Sequence, residues 1–419
     1  MAGVAGRRRL LLGAAAIAAG AGGLAAWRHW PEQGFWNPCL ARLPRLLADH
    51  ELVRAAWDGL DASRVWDAHS HLAGTGDSGS GIFVNPRMES LLNPVEYARR
   101  LFFLNAGCVH DAPGSVDRAY IERLRNLLDD LRPGVKLLLF AFDRTHDESG
   151  RVVWERTGFY VPDAYARDTA KAHPRYFEWA ASIHPYRGDC VEALEQARRD
   201  GARAVKWLPA AMGIDPAARR CDRFYAALTR AGLPLITHAG LERAVMGSDI
   251  QDYGNPLRLR RALDAGVRVV VAHCASMGRD RDLDRGPNGP YVDSFELFVR
   301  MMDDARHEVR LYGDISAMTQ VNRAGPALAR VIERVEWHAR LLNGSDYPLP
   351  GVMPIFSVDY LVSLGLVEPA ASAVLKQIRA HNPLLFDFVL KRHLRSGGRS
   401  FAARVFETRA FFQQPGQGA

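Results

Sequence analysis

Two histidines near residue 70 have the spacing of a metal-binding pair. His69 and His71 end the apolar segment Val65-Trp66-Asp67-Ala68-His69-Ser70-His71. On an extended strand, residues two apart point to the same side, so both imidazoles can reach one ion. One such pair is weak evidence, because buried histidines also occur as hydrogen-bonded core residues. The pair becomes informative only if other segments supply further ligands.

Three later segments place a potential metal ligand at or just after the end of an apolar run. These ligands are His238, His273 and Asp346. If the runs are parallel strands of one barrel, their carboxyl ends meet at one rim and the three side chains converge there. Imidazole together with carboxylate suits zinc or a neighbouring divalent metal. The sequence therefore predicts a divalent metal site; the alternative is a set of buried histidines that satisfy one another.

Short apolar or β-branched runs alternate with helical patterns from residue 64 onward. The eight runs are 64–68, 135–142, 177–183, 203–208, 233–237, 267–272, 309–315 and 340–343. A ninth apolar run, 101–105, is assigned to a helix because Asn93 and Pro94 provide start signals for one. Eight strands separated by helices are what a closed parallel barrel requires. We therefore predict an α/β fold, a TIM-type (β/α)8 barrel with an N-terminal extension.

Taken together, these motifs resemble the amidohydrolase superfamily. They are similar to its amidohydrolase-2-like branch, which contains decarboxylases, lactonases and hydratases of carboxylated small molecules, and the resemblance covers about 64–391. The segments that carry it surround His69 and His71, Lys206, His238, His273 and Asp346. The resemblance implies that His69, His71, His238 and Asp346 bind metal. It also implies that His273 hydrogen-bonds the substrate or completes a second metal site.

The role of Lys206 depends on whether the site holds one metal ion or two, and the sequence is compatible with both. In binuclear members of the superfamily, a lysine at this position is carbamylated and bridges two metals, which would make Lys206 a ligand. In mononuclear relatives the lysine is unmodified and could serve as a cation for a substrate carboxylate. We therefore expect one or two divalent ions, with zinc as the first candidate and manganese as an alternative.

The predicted ligands favour hydrolysis of a small molecule. A metal held by histidines and a carboxylate lowers the pKa of bound water toward neutrality, which supplies a nucleophile. Asp346 could accept the proton, while the metal or His273 polarises the carbonyl that is attacked. The expected function is therefore a metal-dependent hydrolase of an amide, ester or lactone. The alternatives are a metal-dependent decarboxylase and a catalytically silent barrel that serves as a binding scaffold.

Four further residues at strand ends or helix starts have less specific interpretations. His184 and Trp207 fall at strand ends and could line a substrate pocket, although packing is the usual role of an aromatic residue there. Asp314 could be catalytic or could hold a neighbour by hydrogen bonds. Asn382, before Pro383, is best interpreted as a helix cap.

The composition is that of an ordinary folded protein and argues against nucleic-acid binding. The 419 residues carry a net charge of +7, but the arginines are scattered among acidic residues after the N-terminus. The five cysteines contain no C-x-x-C pair, so no zinc knuckle or redox motif is indicated, and a disulfide cannot be assigned. Nothing in the sequence identifies an oligomeric state.

The N-terminus differs from the rest of the chain. Arg7, Arg8 and Arg9 precede an apolar run at 10–26, a pattern that resembles a twin-arginine export signal. A retained membrane anchor is the alternative, so we expect either a periplasmic protein or one attached to the outer face of the cytoplasmic membrane. The expected divisions are a signal or anchor at 1–30, a linker and helix at 31–63, the barrel at 64–395 and a tail at 396–419.

Overall fold

A computed structural model describes residues 31–247 and 250–413. The predicted export signal or anchor at 1–30 lies outside the described residues, as does the end of the chain from 414 onward. Within the described ranges, no helix is both long enough and apolar enough to cross a membrane.

Twelve strands occur among the described residues. In chain order they are β1 (Trp66–His71), β2 (Phe83–Val84), β3 (Lys136–Phe140), β4 (Phe159–Tyr160), β5 (Phe177–Ala180), β6 (Val205–Trp207), β7 (Leu235–His238), β8 (Val269–Ala272), β9 (Arg279–Arg281), β10 (Tyr291–Asp293), β11 (Leu311–Asp314) and β12 (Leu341–Leu342). Two short antiparallel pairs, β2 with β4 and β9 with β10, lie apart from the remaining eight parallel strands.

The eight parallel strands form a closed barrel. One sheet has the order β1-β3-β5 and the other the order β6-β7-β8-β11-β12. Backbone bonds join the sheets at both seams: Lys206 N donates to Ala181 O at 2.8 Å, and Ala68 N donates to Asn343 O at 2.9 Å. Each of the eight runs expected to be strands overlaps one of these strands, so the predicted TIM-type architecture is confirmed.

Fifteen α-helices surround or extend the barrel among the described residues. They are α1 (Arg45–Ala48), α2 (Glu51–Ala55), α3 (Pro94–Ala106), α4 (Val116–Asp129), α5 (Asp163–Ala172), α6 (Cys190–Arg199), α7 (Pro209–Met212), α8 (Asp222–Ala231), α9 (Arg260–Asp264), α10 (Ser294–Met302), α11 (Pro326–Glu333), α12 (Val358–Ser363), α13 (Ser372–His381), α14 (Pro383–His393) and α15 (Arg409–Phe412). The run 101–105 lies inside α3, as expected. Asn382 caps α14 by accepting a hydrogen bond from Leu385 N at 2.9 Å.

The amino-terminal end of the barrel interior is filled by apolar side chains. This apolar plug consists of Trp66, Ala68, Leu138, Phe140, Ala180, Ala204, Ile236, Val270, Leu342 and Phe412, all buried. The end of the described chain covers it: Phe412 stacks on Trp66, and Asn343 N donates to Val405 O at 2.7 Å. The barrel is therefore sealed at this end.

The N-terminal extension is fastened to the segment around α3. A disulfide joins Cys39 to Cys108, just after α3, and Trp36 stacks on Phe102 with ring centroids 5.2 Å apart. Helix α3 belongs to the long connection after β1, which leaves the carboxyl end of that strand. The extension thus reaches the same end of the barrel as the predicted site.

Candidate metal centre and active site

The carboxyl rim of the barrel brings three of the predicted ligands into direct contact. The Oδ1 atom of Asp346 lies 3.3 Å from His69 Nε2 and 3.0 Å from His71 Nε2. The ligand atoms of these three residues all lie within 4.8 Å of one another. His69 and Asp346 are buried, and His71 is partly open to solvent.

A β-bulge directs His69 and His71 into the barrel. Trp66 and Ala68 already face the interior, so a regular strand would turn the next odd-numbered residues away. The pairing of β1 with β3 shifts between Asp67 and Ser70, which places an extra residue in β1. The Asp67 carboxylate holds this distortion by accepting hydrogen bonds from His69 N at 3.0 Å and from Ser345 N at 2.8 Å.

Gly344 lets the loop that carries Asp346 approach β1 closely. A Cβ atom on Gly344 would lie 2.5 Å from His69 Cβ, closer than two non-bonded carbon atoms can approach. The Asp346 backbone has a φ of +61°, an unusual conformation for a residue other than glycine. The short distance between Asp346 and the two histidines thus depends on a glycine and on a strained residue.

Hydrogen bonds orient His69 and His273 so that both aim Nε2 at Asp346. His69 Nδ1 lies 2.8 Å from Asp314 Oδ2, and His273 Nδ1 lies 2.9 Å from the Ser316 carbonyl oxygen. Both partners are acceptors, so each Nδ1 carries the hydrogen and each Nε2 presents a lone pair. The Asp314 carboxylate also accepts from His273 N at 3.0 Å. Asp314 therefore orients the imidazole of His69 directly and fixes the backbone of His273.

The resulting arrangement is suited to a divalent cation. Burial lowers the pKa of His69 and of His273 well below the ordinary value, so both imidazoles are neutral. Their lone pairs point at Asp346, with Nε2-to-oxygen distances of 3.3 and 3.7 Å. Acceptors facing acceptors in a buried site repel one another unless a cation lies between them. The histidine and aspartate groups thus fit a divalent metal site.

His238 and Lys206 extend the site along β7 and β6. His238 Nε2 is 3.2 Å from Glu242 Oε2, but no group among the described residues hydrogen-bonds to this nitrogen. Burial lowers the pKa of His238 to about 4. Lys206 Nζ lies 3.1 Å from His69 Nε2, and burial lowers the pKa of this amine to about 8. A buried imidazole nitrogen without a hydrogen-bond partner among the described residues is a second feature that a metal ion would satisfy.

A cavity of about 420 Å³ opens above these ligands. Its walls are mostly apolar and include Phe102, Phe140, Phe159, Met246, Val352 and Ile355. Glu242 and Arg323 add charge and are both more than nine-tenths buried. The Nε atom of Arg323 has no hydrogen-bond partner among the described residues. Sequence reasoning missed both residues, because they lie in loops after β7 and β11 and belong to no motif.

His184 and Trp207, the predicted substrate-binding residues, lie outside the cavity lining. Trp207 directly follows the inward-facing Lys206, so alternation along β6 turns its side chain outward. There it stacks on Phe224 and donates to the Ile183 carbonyl oxygen at 2.8 Å. His184 Nε2 lies 3.0 Å from the Met212 carbonyl oxygen. Both side chains therefore have structural contacts instead.

A comparison with protein families identifies this architecture. The family model described as "Amidohydrolase" matches residues 66–384, which include all eight barrel strands and every predicted metal ligand. The chain belongs to the amidohydrolase family. Its general function is accordingly that of a metal-dependent enzyme of the amidohydrolase type that acts on small molecules.

Solved structures with a similar fold include three with different descriptions. An uncharacterized TIM-barrel protein from Bordetella bronchiseptica is 16% identical, with a TM-score of 0.45 over 75% of this chain and 99% of its own. A probable 2-pyrone-4,6-dicarboxylic acid hydrolase from Acinetobacter baumannii is 12% identical (TM-score 0.42; 77% and 97% covered). A 2,6-dihydroxybenzoate decarboxylase is also 12% identical (TM-score 0.40; 77% and 97%). No curated protein matches the sequence.

Proposed function

We propose that this amidohydrolase is a hydrolase that uses a metal-activated water to cleave an amide, ester or lactone bond of a small molecule. The observation that supports the proposal is the position of the Asp346 carboxylate. It contacts His69 and His71 and also lines the cavity where a substrate would lie. A carboxylate in this position can serve as metal ligand and as proton acceptor for the attacking water.

Residues His69, His71, His238 and Asp346 would hold the metal, with His273 and Lys206 adjacent. A divalent metal at this point supplies Lewis-acid chemistry and lowers the pKa of water toward neutrality. Zinc is the ion we propose first, because neutral imidazoles and one carboxylate are its usual catalytic ligands, and manganese is the alternative.

Asp346 would carry the proton through the reaction. Burial alone would raise the pKa of its carboxyl, but the nearby His69, the hydrogen bond from His71 and the positive charge of Lys206 outweigh burial, so the pKa lies below the ordinary value. The carboxylate is thus ionised at neutral pH and can accept a proton from water. It would then deliver this proton to the leaving group, while the lone pair on His273 Nε2 would be available as a further metal ligand.

Lys206 would act in one of two ways. Its depressed pKa of about 8 leaves a fraction of the amine uncharged at neutral pH, which is the form that reacts with carbon dioxide to give a carbamate and a proton. The carbamate would provide a ligand for a second metal. The unmodified ammonium would instead attract an anionic group of the substrate. Intact-mass measurement of protein purified in the presence and absence of bicarbonate separates the two.

Arg323 is the group that we propose to bind an anionic part of the substrate. Its guanidinium is buried in the cavity wall, its Nη1 donates a long hydrogen bond of 3.4 Å to Ser276 Oγ, and its Nε has no partner among the described residues. A buried guanidinium with spare donors matches the planar geometry of a carboxylate. The apolar walls would contact the rest of the substrate.

Product analysis in heavy-oxygen water tests the proposed reaction. Metal-loaded protein is screened against lactones, esters and N-acyl compounds that carry a carboxylate. Hydrolysis incorporates one solvent oxygen into the product. Release of carbon dioxide without incorporation would instead identify a decarboxylase. Full metal occupancy without turnover of any compound would favour a silent binding scaffold.

We also propose that residues 1–30 direct export and either leave the chain or anchor it at the outer face of the cytoplasmic membrane. The paired arginines before an apolar run support this proposal. Replacing Arg7, Arg8 and Arg9 with lysine keeps the charge and should abolish export, because the receptor recognises arginine pairs. Unchanged delivery outside the cytoplasm would refute it.

A further inference from the structure

An exposed apolar surface lies beside the mouth of the cavity. We call it the mouth patch; it consists of Trp36 (50% exposed), Leu91 (74%), Leu92 (91%) and Val95 (67%). Single exposed apolar residues are common on soluble proteins, but several together mark an interaction surface. Leu91 and Leu92 directly precede α3, and Val95 lies in its first turn.

The mouth patch is continuous with the apolar wall of the cavity. Val95 and Phe102 are seven residues apart in α3, so they lie on the same face of the helix. Trp36 stacks on Phe102 at 5.2 Å, and Phe102 lines the cavity. The apolar cavity wall therefore extends through Phe102 to Trp36 at the outside of the molecule, while Arg99 lies between Val95 and Phe102 on the same face of the helix.

A potential membrane anchor closely precedes Trp36 in the sequence. An apolar run of 17 residues, 10–26, follows three arginines, and only nine residues separate its end from Trp36. Nine extended residues span at most about 30 Å. With the run held in a membrane as the anchor proposed above, Trp36 stays within that radius of it. A tether this short gives the mouth patch an effective concentration of about the millimolar range at the surface that holds the apolar run. A weak contact between the patch and that surface then becomes occupied.

We propose that the mouth patch docks on the surface of a lipid bilayer, with the cavity opening toward the membrane. Tryptophan and leucine side chains are typical of proteins that insert side chains at the level of the lipid headgroups. A molecule that partitions into the bilayer surface would then reach the apolar cavity wall directly. This surface is separate from the metal centre, so the proposal does not depend on which bond the enzyme cleaves.

Membrane contact can be measured with an environment-sensitive fluorophore on single engineered cysteines. The full-length chain carrying Leu92→Cys is labelled and reconstituted into vesicles of phosphatidylethanolamine and phosphatidylglycerol. Val309→Cys is the matched control, since it is 68% exposed but precedes β11 at the opposite end of the barrel. The three free cysteines, Cys190, Cys221 and Cys274, are buried and protected from the label.

The expected result is a blue shift at position 92, with loss of emission when nitroxide-labelled lipids are added, and neither change at position 309. A probe on Val95→Cys should lose its quenching when Leu91→Glu and Leu92→Glu are added, because both leucines are exposed and their replacement leaves the core intact. An unquenched probe at position 92 would overturn the proposal. A blue shift without quenching would also overturn it, because a second copy or the N-terminal run would then cover the patch.

Discussion

Two layers of inward-facing residues occupy neighbouring positions along β6, β7 and β11, with Ala204 directly before β6. The layer toward the amino-terminal end is apolar and consists of Ala204, Ile236 and Tyr312, which belong to or pack against the apolar plug. The layer two residues further along is polar and consists of Lys206, His238 and Asp314. Successive inward positions on a strand are about 7 Å apart. The barrel interior thus changes from packed core to candidate active site within two residues along each strand.

The two layers also differ in how their groups are satisfied. The apolar plug needs no hydrogen bonds and is sealed by the end of the described chain. The polar layer contains neutral histidines, a lysine with a depressed pKa and a nitrogen on His238 that has no hydrogen-bond partner in the described ranges. Polar groups of this kind destabilise a fold unless a ligand satisfies them. The apolar layer therefore stabilises the barrel, whereas the polar layer is suited to binding a ligand.

The largest expected effect is that of Asp346→Asn on turnover. The amide keeps the size of the side chain and one acceptor but removes the charge that accepts a proton. We expect the maximal rate at saturating zinc or manganese to fall by about 10² to 10⁴. Metal content should fall less. Full recovery of the rate at high metal would show that Asp346 is only a ligand.

Shortening Ile236 should mainly affect stability. Ile236→Ala removes buried methyl groups from the plug and should lower the free energy of unfolding by about 2–5 kcal/mol, measured by denaturant titration. The matched variant is His238→Ala on the same face of β7, which should weaken metal binding instead. Equal losses of metal from the two variants would contradict the division of the barrel interior into two layers.

Asp314→Asn tests whether hydrogen bonds behind the ligands orient them. Asp314 supports His69 and His273 but is not itself aimed at Asp346. Removing such a partner typically lowers metal affinity or activity about 10- to 100-fold. Competition with a chelator measures this affinity. An unchanged affinity together with an unchanged rate would mean that the imidazoles are positioned by packing alone.

Acid should destabilise the protein partly through His184, which lies away from the site. Burial lowers its pKa to about 3, whereas the unfolded chain has an ordinary value near 6.5. Below pH 6.5 the unfolded state therefore binds a proton that the folded state does not, and stability falls as pH falls. Between pH 7 and pH 5, the free energy of unfolding of His184→Gln should fall by about 2 kcal/mol less than that of the wild type, because glutamine does not titrate. An identical pH dependence in the variant would refute this assignment.

Much of this architecture could be predicted from sequence patterns because it depends on local signals. Eight apolar runs, each followed by a helical pattern, predicted the barrel strands, and the helix start at Asn93-Pro94 correctly removed a false ninth strand. His69, His71 and Asp346 were recognisable because each closes or follows such a run. These features depend on periodicity and on short motifs, which a single sequence displays directly.

The remaining features depend on contacts between distant segments. The bulge in β1 depends on Asp67 reaching Ser345, and no pattern near residue 67 reveals it. Glu242 and Arg323 reach the cavity from loops whose paths are set by tertiary packing. Trp207 was expected at the pocket because it ends a strand, yet the inward direction of Lys206 turns it outward. Whether a side chain at a strand end points into the barrel can be predicted only when the register of the strand is known, and the sequence does not show that register.

The most direct test of the account is the metal content of the purified protein, measured by elemental analysis after dialysis without a chelator. The full-length chain should carry about one or two equivalents of divalent metal, most of it zinc. His69→Ala and His238→Ala should each lose metal, while Ile236→Ala, which alters only the apolar plug, should keep it. Full metal content in both histidine variants would contradict the assignment of the carboxyl rim as the metal centre.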